Sequence, residues 1–220
     1  ECQSERSDGF AAFPKSSGVD ASAIARKNAL SEAVERYVWA RWWDDSNIAH
    51  TARRVDLNNL GVGEELLADA GRAAKIKEVV EIRPLMADSE RAVVIYFAKL
   101  EPIGIVSGGA CGFENEITTV RYRALSELVR HALAARKIKN GEATTSSFYE
   151  RRLAYFAMTE VGTKLAEMRL RSKGRSAISL PKLLWDAEIE HELSDVAAVH
   201  RCLFENQPPF VGGELERLCL

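Results

Sequence analysis

No stretch of this sequence stays apolar for the roughly 20 residues that a membrane-spanning helix requires, and the N-terminus shows no secretory signal peptide. Neither sign of charge dominates, since 30 Lys and Arg stand against 32 Asp and Glu, for a formal net charge of −2 at pH 7. A chain without an overall positive field lacks the usual attraction to nucleic acids and acidic lipids. We therefore expect neither a nucleic acid nor a membrane as partner.

Cysteine is scarce and scattered. The chain has four cysteines, at positions 2, 111, 202 and 219, and no two of them are spaced as CxxC. Such a distribution fits neither a zinc finger nor a dense disulfide framework. It is typical of reduced thiols in a cytoplasmic protein, with a pair of disulfides in a secreted protein as the alternative.

Several familiar catalytic motifs are also missing. There is no Walker A sequence and no GxGxxG after a first strand. His191 and Glu192 begin an HExxH-like pattern, but the second histidine is absent, which excludes the usual metalloprotease helix. The glycine-rich stretch SGGACGFENE at 107–116 predicts a turn that joins a strand to a helix, and it is only a weak indication of phosphate binding.

The spacing of apolar residues predicts a mixed α+β fold, an α/β arrangement of central strands with long helices packed against the sheet. We predict helices over 21–44, 64–78, 116–137 and 147–173, a helical turn near 182–193, and strands over 79–85, 91–100, 102–112 and near 196–206. Residues 45–62 read as a loop, and Gly162 is a possible break in the fourth helix. The whole chain, 1–220, is expected to form one domain, with 139–147 as its weakest internal link.

The first long helix carries an unusual polar face. At 100° per residue, its small and aliphatic residues share one wide face, whereas Glu32 and Glu35 lie on the opposite side together with Trp39, Trp42 and Trp43. Three tryptophans on a fully solvated face would expose a large apolar area. We infer that this face is covered at one end, so that its carboxylates need a counter-charge or a proton. The simpler alternative is a surface ion pair between Glu32 and the arginine four residues later.

The second long helix has apolar residues around most of its circumference, so we expect it to be buried on more than one side. Glu127 stands within four residues of Arg123, Arg130 and His131. One interpretation is an ordinary salt-bridge cluster within the helix. The other makes Glu127 a metal or ligand contact, with the arginines facing phosphate.

The order of these features resembles the YcaO-like family. The sequence SSGVDASAIARKNALSEAVERYVWARWWDD is similar to the family's turn and long helix, with its pattern close to ALxExxER. The later TTVRYRALSELVRHALAAR is similar to the family's second helix. The resemblance covers about residues 8–137 usefully and the rest loosely.

This resemblance implies ATP-dependent and Mg²⁺-dependent activation of peptide backbone amides, in which an azoline, a thioamide or an amidine is formed. It implies that ATP and its metal are bound by Asn28, Glu32, Glu35, Arg36, Glu127 and Arg130. Of these, Glu32, Glu35 and Glu127 would hold Mg²⁺. No catalytic residue is assigned by the resemblance.

The chain departs from the family pattern in several places. Asn28 stands where serine is frequent, and Val129 and Arg130 stand where Asn-Gln is frequent. Little sequence precedes the first motif, so the chain is expected to be short at its N-terminal side relative to the family. Two alternatives follow: a scaffold that binds a peptide or partner protein without ATP turnover, or an unrelated α/β protein. The expected partners are a peptide or protein substrate, a separate leader-peptide-binding protein and a second copy in a homodimer.

Overall fold

The computed structural model describes residues 8–15, 19–57, 65–87 and 90–208 of the chain. The predicted loop residues 58–62, together with Cys2 and Cys219, lie outside these ranges. Within them the chain forms seven strands and five α-helices, in this order: β1 (Gly9–Pro14), α1 (Ala21–Asp44), β2 (His50–Val55), α2 (Glu65–Ala73), β3 (Ile76–Pro84), β4 (Arg91–Leu100), β5 (Ile105–Phe113), α3 (Ile117–Lys139), α4 (Phe148–Met158), α5 (Glu160–Arg171), β6 (Leu183–Glu188) and β7 (Ala197–Phe204). The predicted mixed α+β class is confirmed.

The strands form two antiparallel sheets, with strand order β1-β7-β6 in one and β2-β3-β4-β5 in the other. Helix α1 packs on β1 and β7 of the first sheet and on β4 and β5 of the second. Helix α3 packs on β4 and β5. Among the described strands, only β4 lies beside β5, and both long helices contact β5.

Helix α1 has the predicted bounds. Asp20 caps its N-terminus by accepting a hydrogen bond from the backbone N–H of Ala23 at 3.0 Å, which satisfies one of the donors that a helix start leaves open. Its tryptophans are buried: Trp39 and Trp42 are 0% exposed and Trp43 is 9% exposed. The inference that the polar face of α1 is covered at one end is therefore confirmed.

An arginine from α5 closes the C-terminal end of α1. The guanidinium of Arg169 lies 4.1 Å from the ring centroid of Trp42 and donates to the backbone carbonyl of Trp42 through Nε at 2.6 Å. It also donates to the carbonyl of Asp45 at 3.1 Å. A cation at this end offsets the negative end of the helix dipole, so burial of the tryptophans and capping of the helix are achieved by the same contact.

The glycine-rich stretch is a strand and not the predicted turn. Gly108 and Gly109 lie inside β5, where a Cβ on Gly108 would stand 2.2 Å from the backbone nitrogen of Leu128 in α3. A Cβ on Gly109 would stand 2.4 Å from the ring of Trp39 in α1. These glycines therefore allow both helices to approach the strand closely. Because Gly108 and Gly109 are not at a helix N-terminus, that reason for expecting phosphate binding there does not apply.

Three other predictions are corrected by the structure. Residues 50–55, predicted as loop, form β2, and residues 183–188, predicted as a helical turn, form β6. The predicted helix over 147–173 is two helices that meet at Thr159, which ends α4 and caps α5; the break is therefore not at Gly162. Thr159 accepts a hydrogen bond from the N–H of Gly162 at 3.0 Å, as an N-cap does.

Among the described residues, no helix is both long and apolar enough to cross a membrane. Cys111 and Cys202, the two cysteines that lie in the described ranges, are buried free thiols.

Candidate functional site

A cavity of about 840 Å³ lies between α1 and α3 at the outer edge of β5. Its volume falls in the range of about 300–1,000 Å³ that is usual for small-molecule sites. Two helices and two strands contribute its lining: Ala11, Asn28, Glu32, Glu35, Gly109, Ala110, Tyr122, Arg123, Ser126, Glu127 and Arg130. Five of the six predicted binding residues are among them, and the sixth, Arg36, contacts one of the lining residues.

Helix α1 supplies Asn28, Glu32 and Glu35 to this cavity. Their spacing of i, i+4 and i+7 places the three side chains in one stripe along a helix. The small residues Ala25, Ala29 and Ala33 are 0% exposed and lie on other sides of α1, against the sheets. Packing of the alanines therefore fixes the direction in which the polar stripe faces.

Helix α3 supplies a second stripe with the same spacing, made of Arg123, Glu127 and Arg130. Val120, Ala124 and Leu128 on the neighbouring faces are buried, as we predicted for a helix covered on more than one side. The two stripes meet over the edge of β5. Carboxylates 92 residues apart in the chain, Glu35 and Glu127, are thereby brought into one site.

The edge of β5 takes part in holding the second stripe. The N–H of Gly109 donates to Oε2 of Glu127 at 3.0 Å, and the carbonyl of Cys111 accepts from Nη1 of Arg123 at 3.4 Å. Backbone groups on the unpaired side of an edge strand have no strand partner to bond with. In this protein, side chains of α3 bond to those backbone groups in place of a neighbouring strand. These bonds position Glu127 over β5.

Burial and like charge perturb two of the carboxyl groups. Desolvation, reinforced by the negative charge of Glu127, raises the pKa of Glu35 well above its ordinary value, and Arg123 offsets only part of this effect. Desolvation also raises the pKa of Glu127, against the opposing hydrogen bond from Gly109 and the charge of Arg130. A cation would stabilise the ionised forms of two carboxyls that burial disfavours in this way, and perturbed groups of this kind cluster at functional sites.

Glu32, like Glu127, has a partner on each of its oxygens. Oε1 accepts from Nη2 of Arg36 at 2.5 Å, and Oε2 accepts from the backbone N–H of Phe10 at 2.7 Å. Arg36 also donates to the carbonyl of Asp8 at 2.5 Å. The ion pair between Glu32 and Arg36, which the simpler alternative placed on the surface, therefore links β1 to α1 and lies at one side of the cavity.

The donor set fits a divalent cation that carries an anionic ligand. Glu35 and Glu127 offer the hard oxygen ligands that Mg²⁺ requires. The arginines of α3 offer donors suited to phosphate, and the side chain of Arg130 is 73% exposed. Arg123 was expected to face phosphate only in one of two interpretations, and Tyr122 and Ser126 were not predicted as site residues. The signal in the sequence that indicates Arg123 as a site residue is its spacing of four residues from Glu127, which places both on one stripe of the helix.

Comparison with known proteins gives a likeness in three dimensions only. No family model matches the sequence, and no curated protein matches it. The chain is similar to a chain of the E. coli microcin synthetase McbBCD complex, with a TM-score of 0.54 and 13% identity over 89% of this chain and 52% of that chain. It is also similar to a chain of the same complex with pro-MccB17 bound, with a TM-score of 0.53 and 9% identity over 79% of this chain and 48% of that chain.

This chain spans about half the length of the chains that it matches. At such low identities the likeness shows the fold alone. The relation is a loose one.

Proposed function

We propose that the cavity binds ATP with Mg²⁺ and that the chain takes part in the modification of a peptide backbone. The single observation that carries this proposal is the meeting of two stripes, one from each long helix, in which desolvated carboxyls stand beside exposed arginines. Magnesium with a polyphosphate has the complementary pattern of charge, a cation surrounded by anionic oxygens. The motif resemblance to YcaO-like proteins supports the same choice of ligand, and the fold likeness to a chain of the microcin synthetase complex supports a part in peptide modification.

Each side chain has a distinct part in this proposal. Glu35 and Glu127 would hold Mg²⁺, because burial disfavours their ionised forms and a bound cation would stabilise those forms. Arg123 and Arg130 would bind phosphate oxygens, and Asn28 would contribute an amide at the near end of the α1 stripe. Arg36 would act on the site indirectly by holding Glu32. When bound, Mg-ATP would supply a phosphoryl group to a peptide amide oxygen and so prepare that amide for attack.

A second candidate is a scaffold that binds a peptide or partner protein without turning over ATP. Glu32 favours it, since Arg36 and the N–H of Phe10 already occupy both oxygens of this predicted ligand. Val129 and Arg130 also stand where the family pattern has two amides. On this alternative the cavity retains its shape and its charge, and peptides bind independently of nucleotide.

Isothermal titration of the full chain with ATP and excess Mg²⁺ tests the proposal. We expect saturable binding that weakens by about tenfold or more in Glu35→Gln and in Glu127→Gln, because each change removes a charged ligand worth roughly 1.5–3 kcal/mol. Glu160→Gln is the matched control, since that glutamate also lies on a helix but its side chain is 74% exposed.

Two outcomes would count against the proposal. The absence of binding at millimolar Mg-ATP would show that the cavity is not a nucleotide site, and it would favour the scaffold that binds a peptide or partner protein. Binding that survives in both cavity variants would place the nucleotide elsewhere. Release of ADP in the presence of a bound peptide would separate an enzyme from a protein that only binds nucleotide.

A further inference from the structure

A second group of ligating side chains lies on the three-stranded sheet, outside the cavity. Asp186 on β6 pairs in register with Cys202 on β7, and His200 lies two residues before Cys202. Side chains two residues apart on a strand point to the same face, so all three extend toward one place. One ligand atom from each lies within 4.8 Å of the other two.

The distances within this group are close to those of a metal site. Sγ of Cys202 lies 3.6 Å from Oδ1 of Asp186, and Nε2 of His200 lies 2.7 Å from the same oxygen. Around a tetrahedral zinc ion, the usual bond lengths place a sulfur and an oxygen ligand roughly 3.6 Å apart, and a nitrogen and an oxygen roughly 3.3 Å apart. The first spacing is already met, and the second requires the imidazole to withdraw by about 0.6 Å from the carboxylate.

The surroundings of the group also suit a metal. Cys202 is 0% exposed and His200 is 7% exposed, so two of the ligand atoms are shielded. The side chain of Asp186 is 22% exposed, which leaves access for an ion and for a solvent ligand. Arg26 already holds this carboxylate, with Nη2 donating to Oδ2 at 2.5 Å and Nε donating to Oδ1 at 3.0 Å. An outer residue thus orients the carboxylate, as is usual around metal ligands, and a cation at Oδ1 would share that oxygen with Arg26.

We propose that Asp186, His200 and Cys202 form a site for a borderline divalent cation, with Zn²⁺ as the natural occupant. A thiolate with an imidazole and a carboxylate is a donor set that zinc accepts, and three protein ligands leave a fourth position for water. Binding displaces the thiol proton to solvent, moves the proton that Nε2 of His200 donates to Asp186 onto Nδ1 by way of solvent, and replaces that hydrogen bond with two bonds to the metal. The site is separate from the nucleotide cavity and does not depend on it.

The same residues do not suit a nucleophilic role for the thiol. The hydrogen bond that Sγ of Cys202 donates goes to Oδ1 of Asp186, at 3.6 Å. A cysteine nucleophile needs a base that takes its proton. A cation, by contrast, stabilises the thiolate directly.

Titration of the reduced, chelator-treated full chain with Co²⁺ tests this site. Cobalt bound to a thiolate gives a charge-transfer band in the near ultraviolet and visible bands typical of a tetrahedral ion. We expect one equivalent to bind and Zn²⁺ to displace it. Cys202→Ser should abolish the charge-transfer band, and His200→Gln should weaken binding by about tenfold to a hundredfold.

Cys111→Ser is the matched control, because Cys111 is also 0% exposed and burial raises its pKa to about 12. It should bind cobalt as the unaltered chain does. A chain that gives no charge-transfer band with several equivalents of Co²⁺ would overturn the proposal. A band that persists in Cys202→Ser would also overturn it, by assigning the metal to another thiol. Should Cys202→Ser fail to fold, as circular dichroism would show, the His200→Gln result decides.

Discussion

Substitution of Glu35 by glutamine should make the free protein more stable while it removes a ligand from the cavity. Burial raises the pKa of Glu35 from an ordinary 4.5 to about 8. Between these values the folded state binds more protons than the unfolded state, so the stability of the unaltered protein falls as the pH rises. Glutamine has nearly the same shape as glutamic acid and never ionises, so the variant should not lose stability in this way as the pH rises.

The size of the effect follows from the linkage between proton binding and folding. Each pKa unit is worth about 1.4 kcal/mol, so the full difference corresponds to roughly 5 kcal/mol at pH values above 8. Glu127 carries part of the same repulsion and can relax, so we expect about 2–3 kcal/mol of stabilisation at pH 8 and less than about 1 kcal/mol at pH 5.

Urea denaturation with a chelator present, at pH 5, 6.5 and 8, measures this difference through the transition midpoint. Glu160→Gln again serves as the exposed control and should show no such trend with pH. A Glu35→Gln variant whose stability relative to the unaltered chain stays constant with pH would refute the reasoning. So would a variant that is less stable at pH 8.

Three further predictions concern stability alone. Burial by itself would raise the pKa of Glu81, but hydrogen bonds from two arginines and a tyrosine hold it below its ordinary value. In urea denaturation, Glu81→Ala should therefore lower the free energy of unfolding by about 3 kcal/mol, whereas the more exposed Glu78→Ala should lower it by under 1 kcal/mol. Equal losses in the two variants would contradict this prediction. Gly108→Ala should cost at least about 2 kcal/mol, because its Cβ would stand 2.2 Å from the backbone nitrogen of Leu128, and an unchanged melting temperature would show that α3 can shift. Burial lowers the pKa of His131 to about 4, so the stability present above pH 6.5 is lost as the pH falls toward 4, and His131→Gln should flatten that part of the pH profile.

Long elements with a strong period were predictable, and short elements were not. The bounds of α1 and β4 follow from sequence because a cap or a turn residue marks each end of a regular apolar pattern. Strand β2 was missed because its exposed run of Thr51, Ala52, Arg53 and Arg54 carries almost no apolar alternation. Strand β6 was predicted as helical because LLWDAE has no period that excludes a helix. Its strand form depends on pairing with β7, which lies at a distance in sequence.

The candidate cavity was predictable only in part. The i, i+4 and i+7 spacing showed which side chains of each helix share a stripe, but it could not show that the two stripes face each other. That depends on β5 as an edge strand with glycines where both helices cross it. The group of Asp186, His200 and Cys202 was missed for a similar reason. The register between β6 and β7 brings these residues together, and the sequence of neither strand alone predicts that register.

The structure divides the three predicted metal-binding glutamates into two kinds. Glu32 is already neutralised by Arg36 and by a backbone donor, so a cation would gain little there. Glu127 has a comparable pair of partners, Arg130 and the N–H of Gly109, but burial still raises its pKa and that of Glu35, and the two carboxyls come from different helices. On the proposed function, a cation would therefore have to bridge α1 and α3. Arg130, now 3.3 Å from Glu127, would be released by that cation to meet a phosphate, so its departure from the family pattern is compatible with nucleotide binding.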